Sequence, residues 1–365
     1  MRTRCGGWIF VFCFSLVSGL APQNGPAAQF EPPAVVPLGS ADLRMTLDVV
    51  VTDKSGKPVS GLQQQDFTLL DNKQPQKIVS FHAVEGGAAT ADPPVEVILL
   101  VDDVNTSPSQ VAFERDQIER FLRRNGGELA RPASTVVLSD SGIAIGDTSS
   151  RDGNAVVADL NQKKSGLRSI GRSQGVYGAH DRLVLSLHSL QQLADYEAPK
   201  PGRKLAVWIS PGWPLLSGPE VMLTSKDQQG LLNSIVGLSD RLRQARITLY
   251  DVDPSGTTDA VGFQTFIYKD YLKPVRKVGQ AQYGNLALQV LAYQSGGRVL
   301  NSSNDVTGEI EACVADANSF YVLSFDGLPG DGPNEYHALE IKIDKPGLTA
   351  RTRSGYYAQP EHYQQ

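Results

Sequence analysis

Cysteine is scarce in this chain of 365 residues: there are three, and Cys5 and Cys13 both lie near the N-terminus. That leaves Cys313, and one thiol cannot close an internal disulfide, so the fold must hold by its core alone. Cys313 falls in an apolar helical run with Ile310, Val314 and Ala317, as a buried small hydrophobe would. Histidine is scarce too: His82, His180, His188, His337 and His362 are scattered, with no HExxH and no metal-ligand spacing. An excess of positive charge is missing, since 34 Lys+Arg face 39 Asp+Glu for a net charge of −5. That balance excludes binding nucleic acid by phosphate neutralisation. Beyond the N-terminus no apolar run is long enough to span a bilayer. What the chain does have is 41% hydrophobic residues, 35 glycines and 22 prolines. These indicate a globular, turn-rich protein and exclude a disordered or all-helical one.

The N-terminus carries Arg2 and Arg4, an apolar stretch of 13 residues from Trp8 to Leu20, and small residues around Gly25 to Ala28. This is the layout of a secretory signal peptide, residues 1–28, and the stretch is short for the ~20 residues of a membrane-spanning helix. Cleavage after Ala27 or Ala28 would export the chain to the periplasm or the extracellular space. Residues 29–42 are rich in proline and alanine and read as a linker.

A β-rich segment follows at residues 43–90, with strands expected over 43–51, 67–70 and 77–81 and a turn at Asp71-Asn-Lys-Gln74. Asp53, Asp66 and Asp71 lack the alternating spacing of a calcium loop and fit turn chemistry. From Val95 the pattern changes. Val95-Glu-Val-Ile-Leu-Leu-Val101 is a near-continuous apolar run, as in a parallel strand buried on both faces. Ser107, Pro108 and Gln110 form the start of a helix: cap, first position and capping box. Further strands are expected at 135–138, 142–145, 204–209, 246–252 and 298–300. Helices are expected at 181–194, at 227–244 with Ser225 as cap and Gln228 in the box, at 286–293 and at 305–318. Strand-helix alternation of this length predicts an α/β fold over 95–318, a doubly wound and mostly parallel sheet. Residues 319–358 return to β, with strands expected at 319–325, 335–343 and 348–353. Neither terminal segment buries much alone, so the two are expected to pack as one small β-sandwich flanking the α/β domain.

In an open α/β sheet, ligands bind at the carboxyl ends of the strands. The first strand delivers Asp102-Asp-Val-Asn-Thr-Ser107 there, just before a helix N-terminus. With this segment in place, the chain resembles a von Willebrand factor type A (VWA) domain, and more closely the bacterial VWFA-related, acidobacterial-type proteins. The matching segments run in order over residues 43–358. They are Val49-Val-Val-Thr-Asp-Lys-Ser-Gly-Lys-Pro-Val59 with Asp66-Phe67, Leu99-Leu-Val-Asp-Asp-Val-Asn-Thr106 and Ser295-Gly-Gly-Arg298. Tyr321-Val-Leu-Ser324 and Lys345-Pro-Gly-Leu348 with Arg353-Ser-Gly-Tyr-Tyr357 complete the series.

The resemblance implies a metal-ion-dependent adhesion site whose first loop reads D-x-S-x-S, its oxygens suiting Mg²⁺ with one position open for an acidic group of a partner. Asp102 matches the Asp, Val104 replaces the first Ser, and Thr106 keeps the second hydroxyl. Starting at Asp103 instead gives Asp103, Asn105 and Ser107, all with oxygens but one residue late. The family's second Asp corresponds to Ser210-Pro211-Gly212, where the carboxylate is absent. Its middle-loop Thr has no counterpart beyond Ser169 and Ser173. Asp102 and Thr106 are therefore the metal candidates of a degenerate site with at most a weakly bound Mg²⁺, and no other cofactor is expected. Asp102, Asp103, Asn105, Thr106, Ser107 and Ser210 are the candidate partner-binding residues. The expected function is an exported adhesion module that binds a protein or peptide at the top of the α/β domain, and not an enzyme. The alternative is an exported hydrolase, but Ser139-Asp-Ser-Gly142 and Ser210-Pro-Gly212 lack the G-x-S-x-G elbow, and no histidine is placed as a base. Its glycines at 171–178 follow no strand and make no nucleotide loop.

Overall fold

The computed structural model describes residues 44–85, 94–146, 149–163, 169–170, 174–217, 221–255, 267–301 and 303–361. The expected signal peptide, linker, Ser173 and His362 lie outside them. Three sheets organise the chain. The largest uses β5 (Val95–Asp102), β6 (Glu128–Ser139), β7 (Gly142–Ile145), β8 (Ser150–Asp152), β9 (Arg203–Ile209), β10 (Ile247–Val252) and β11 (Val299–Leu300). Its order is β11-β10-β9-β5-β6-β7, with β8 also on β6. The pairs β5/β6, β5/β9, β9/β10 and β10/β11 are parallel, while β7 and β8 run antiparallel to β6. The first half of the domain grows outward from β5 and the second half from β9. Neighbours β5 and β9 therefore mark the topological switch point of a doubly wound α/β sheet.

The apolar runs explain this placement. Ile98 and Leu100 of β5 and Ala206 and Trp208 of β9 enter one cluster, with leucines of α3 (Gly175–Glu197) and α4 (Ser225–Gln244). Leu99, Val101, Leu205, Val207 and Ile209 enter the opposite cluster, with α1 (Pro108–Leu122), α2 (Gly153–Gln162) and α6 (Val306–Ala315). Alternate residues thus meet helices on both faces, and no polar alternation is left in the strand. The short α5 (Leu288–Gln294) adds Leu288, Leu291 and Ala292 to the first cluster. Cys313 is buried in the second, and burial pushes its thiol pKa up.

The other two sheets each have four strands, ordered β14-β1-β12-β4 and β15-β13-β2-β3. The N-terminal segment supplies β1 (Arg44–Thr52), β2 (Phe67–Asp71), β3 (Gln74–Gln76) and β4 (Ser80–Glu85). The C-terminal segment supplies β12 (Ser319–Asp326), β13 (Glu335–Ile343), β14 (Thr349–Arg351) and β15 (Gly355–Ala358). Each sheet thus needs both ends of the chain: β12 lies between β1 and β4, and β13 pairs with β2. One apolar cluster joins the two sheets, with Leu47, Val49, Tyr321 and Phe325 from the first and Phe67, Leu69, Leu339 and Tyr356 from the second. Val50, Val84 and Phe320 join the α/β core instead. Arg246 holds Asp48 at 2.5 Å, and Tyr250 donates to Asp316 at 2.9 Å, where Arg351 also binds. The small sheets are thus tied to the α/β domain through partly buried charges and apolar contacts.

Several expected elements differ. α4 is capped by Thr224, not Ser225, and its reciprocal partner is Asp227, not Gln228. A carboxylate three residues after the cap is the stronger acceptor, and its charge suits the helix N-terminus. Asn72 and Lys73 have φ of 46° and 69°, the two-residue turn that twists with its strands. That turn pairs Asp71 with Gln74, so the partner of β2 is Gln74–Gln76, not the expected 77–81. α2 and β15 were not expected as elements. β6 is longer than 135–138, α3 is longer than 181–194, and β14 is confined to Thr349–Arg351.

Candidate functional site

At the switch point, β5 ends in Asp102, which is fully buried. Its Oδ1 accepts from Val104 N at 3.0 Å and Asn105 N at 2.8 Å, and its Oδ2 from Trp208 Nε1 at 3.0 Å. Asn105 Nδ2 spans both oxygens at 3.2 and 2.9 Å, and also donates to Ser186 Oγ at 2.9 Å. The carboxylate therefore folds the loop back on itself and pins it to β9 and α3. Burial raises the Asp102 pKa, opposed by its bonds from Asn105 and Trp208 and by the Ser210 hydroxyl.

The candidate residues thus fall into place as follows. Asp102, Asp103, Asn105, Thr106 and Ser210 are buried, and Ser107 caps α1 with its side chain accepting from Gln110 N at 3.3 Å. Asp103 N donates to Leu138 O at 2.9 Å, joining the loop to β6. Ser210 Oγ accepts from Gly212 N at 3.1 Å and shapes the turn after β9. The Thr106 hydroxyl lies near the Glu114 carboxyl without closing a hydrogen bond of good geometry. Ser169 is engaged elsewhere, donating its hydroxyl to Asp140 at 3.1 Å. The donors around Asp102 are mostly N–H groups, which a cation would have to displace. Among the described residues, no group of three or more His, Cys, Asp or Glu is set to hold a metal ion. No helix among them is long and apolar enough to cross a membrane.

In front of this loop lies a cleft of about 410 Å³. Asn105 and Gln110 form one side, Ala179 and Arg182 of α3 another, and the 211–215 turn with Ser255 closes it. Gln110 Nε2 donates to Ser255 Oγ at 3.0 Å, linking the start of α1 to the segment after β10. Trp213 packs edge-on against Trp208 with centroids 5.0 Å apart, and its indole N–H has no acceptor among the described residues. Such an orphan donor costs about 1–3 kcal/mol. Gly212 has φ of 97°, a backbone conformation that favours glycine, and it sits against the flexible end of the Gln289 side chain of α5.

Among the described residues, none that lines the cleft is acidic. The carboxyl groups lie behind it. Glu114 and Asp251 are buried, and desolvation followed by neighbouring carboxylates holds both pKa values well above the ordinary range.

Sequence reasoning missed Trp208, Trp213, Arg182, Glu114 and Asp251. The signal for Trp208 was present: it is an indole at an inward position near the end of the strand beside Asp102. It also missed a buried network in the small sheets, where Asp71 meets His337 Nδ1 at 2.9 Å and the Tyr356 hydroxyl at 2.6 Å. His188 is exposed on α3, away from any ligand set.

The fold and this edge define a doubly wound α/β protein with a cleft at its switch point. The solved structure of the SpRpn10 VWA domain is similar over 60% of this chain and 93% of that one, at 11% identity and a TM-score of 0.25. A likeness at that level adds nothing to what strand order and register state by themselves. No family model and no curated protein matches the chain.

Proposed function

We propose that this chain is an exported binding module of the VWA type that recognises a protein or peptide partner in the switch-point cleft. The small sheets then form a β-sandwich that carries the α/β domain. The observation that carries this reading is the state of Asp102. By the sequence resemblance it matches the family's first metal ligand, and its oxygens hold four N–H groups of the loop and of Trp208. We read the adhesion site as degenerate, with Asp102 kept as the anchor that shapes the cleft wall. The hydrolase alternative needs a nucleophile with a base beside it. The cleft offers Ser255, and among the described residues neither a histidine nor a carboxylate lines it. The sequence of residues 1–28, with Arg2 and Arg4 ahead of the apolar stretch from Trp8 to Leu20, supports the export part of this reading.

The test is capture on the immobilised full-length mature chain from the exported proteins of its host, compared with an Arg182→Glu variant of equal thermal stability. The reading expects a partner held by the native chain, held equally in chelator, and lost with the variant. The same proteins captured by both chains would contradict it.

A further inference from the structure

We propose that a single chloride ion, or a halide of its size, binds at the junction of the α/β domain and the small sheets, held by Arg353 and Arg243. This junction lies where β10 begins, at the opposite edge of the large sheet from the cleft, and does not depend on what the cleft binds.

A cavity of about 20 Å³ lies between Asp48 of β1, Arg243 at the end of α4, Arg246, Thr248 of β10, and Arg353 in the segment that joins β14 to β15. Hydrogen bonds account for one of the three guanidiniums. Arg246 holds Asp48, with Nη2 donating to Oδ1 at 2.5 Å and Nε to Oδ2 at 3.4 Å. Arg243 reaches Asp240 Oδ1 with Nη2 at 3.5 Å, and its Nε is buried with no acceptor among the described residues. Arg353 is 8% exposed, and among the described residues its guanidinium closes no hydrogen bond or ion pair. Burial and then the like charge of Arg243 push its pKa down to about 10, against the pull of Asp240 and Asp48, so it stays charged at neutral pH. Arg243 and Asp48, which act on that charge, also line the cavity, so the charge of Arg353 sits beside it.

Three guanidiniums thus meet two carboxylates, Asp48 and Asp240, and one positive charge is left over even with both carboxylates ionised. Tyr336, the other titratable neighbour of Arg353, is neutral and adds no counter-charge. A desolvated cation without a counter-ion is costly, and a water molecule brings a dipole but no charge. The size of the cavity selects the anion. Roughly 10–15 Å³ holds one water molecule, so this space takes a monatomic ion and excludes phosphate, sulfate or a side-chain carboxylate. Arg243 belongs to the α/β domain and Arg353 follows a strand of the small sheets, so an ion between them clamps the two units together.

The experiment uses the full-length mature chain at pH 7 and constant ionic strength, with chloride exchanged stepwise for gluconate, which is too large for the cavity. Thermal melts should show a saturable rise of the midpoint by a few degrees with chloride, and bromide should act alike. Crystals soaked in bromide should show an anomalous peak at hydrogen-bond distance from the Arg353 guanidinium. Arg353→Gln should lose both the saturable response and the peak, and Arg353→Lys, which keeps the charge, should keep part of the response. Midpoints that coincide in chloride and gluconate would mean that the cavity holds water only, and would overturn the proposal. So would an equal chloride response in Arg353→Gln, or bromide peaks elsewhere with none at this junction. Should Arg353→Gln not fold, the presence or absence of the bromide peak in the native crystal decides by itself.

Discussion

Replacing Asp102 by alanine removes the acceptor of four N–H groups, from Val104, Asn105 backbone, Asn105 side chain and Trp208. Each buried donor left unpaired costs about 1–3 kcal/mol, so the gross loss would reach the order of 4–12 kcal/mol with no relaxation. Two effects reduce it. The native carboxylate already bears a desolvation penalty, seen in its raised pKa, and water entering from the cleft beside Asn105 can reach part of the loop. A net destabilisation of about 3–5 kcal/mol remains, a large part of the ~5–15 kcal/mol that holds a typical domain. Asp102→Asn keeps one acceptor and can serve the two backbone N–H groups while it fails Trp208, so about 1–2 kcal/mol is expected. Urea unfolding followed by tryptophan fluorescence measures both, since Trp208 and Trp213 stand at the loop. A loss under about 1 kcal/mol for the alanine variant would show that the carboxylate anchors nothing.

Asp240 on α4 is buried, which raises its pKa to about 6 against the pull of Arg243 and Arg353. The folded state then holds this proton more tightly than the unfolded chain, so stability falls as pH rises from about 4 to 6, on the order of 2 kcal/mol. Denaturant unfolding between pH 4 and 7 should show a shallower fall in Asp240→Asn, and an unchanged slope would refute the assignment. Removing residues 319–365 takes β12 from between β1 and β4 and β13 from β2, so hydrogen exchange across 44–85 should lose its protection. Retained protection would show that the N-terminal strands stand alone. At Gly297 an added Cβ would lie 1.7 Å from Leu249 O. Gly297→Ala must therefore push α5 off β10 and should cost at least ~3 kcal/mol by thermal or urea melts, with an unchanged midpoint contradicting the close approach.

Much of the fold was legible because its signals are local or periodic. The apolar run at 95–101 and its counterpart at 204–209 announced strands covered on both faces, and Ser107-Pro108 with Gln110 announced α1. The need of both terminal segments for partners followed from counting strands. What was hidden depends on contacts between distant residues. The β2 turn could have gone with either following stretch, and positive φ at Asn72 and Lys73 decided it. The meaning of Asp102 was hidden for the same reason. Its place at the strand end was readable, but its partner Trp208 lies 106 positions away. Arg182 and Trp213 reach the cleft from different elements, so no spacing in the chain links them.

The most direct test of this account is a calorimetric titration of the full-length mature chain with Mg²⁺, paired with thermal melts across the same concentrations. With Asp102 engaged by N–H donors, the account predicts no saturable heat and no shift of the melting midpoint up to millimolar Mg²⁺. A one-to-one isotherm with micromolar affinity, matched by a rising midpoint and abolished in Asp102→Asn, would contradict it and restore Asp102 as a metal ligand.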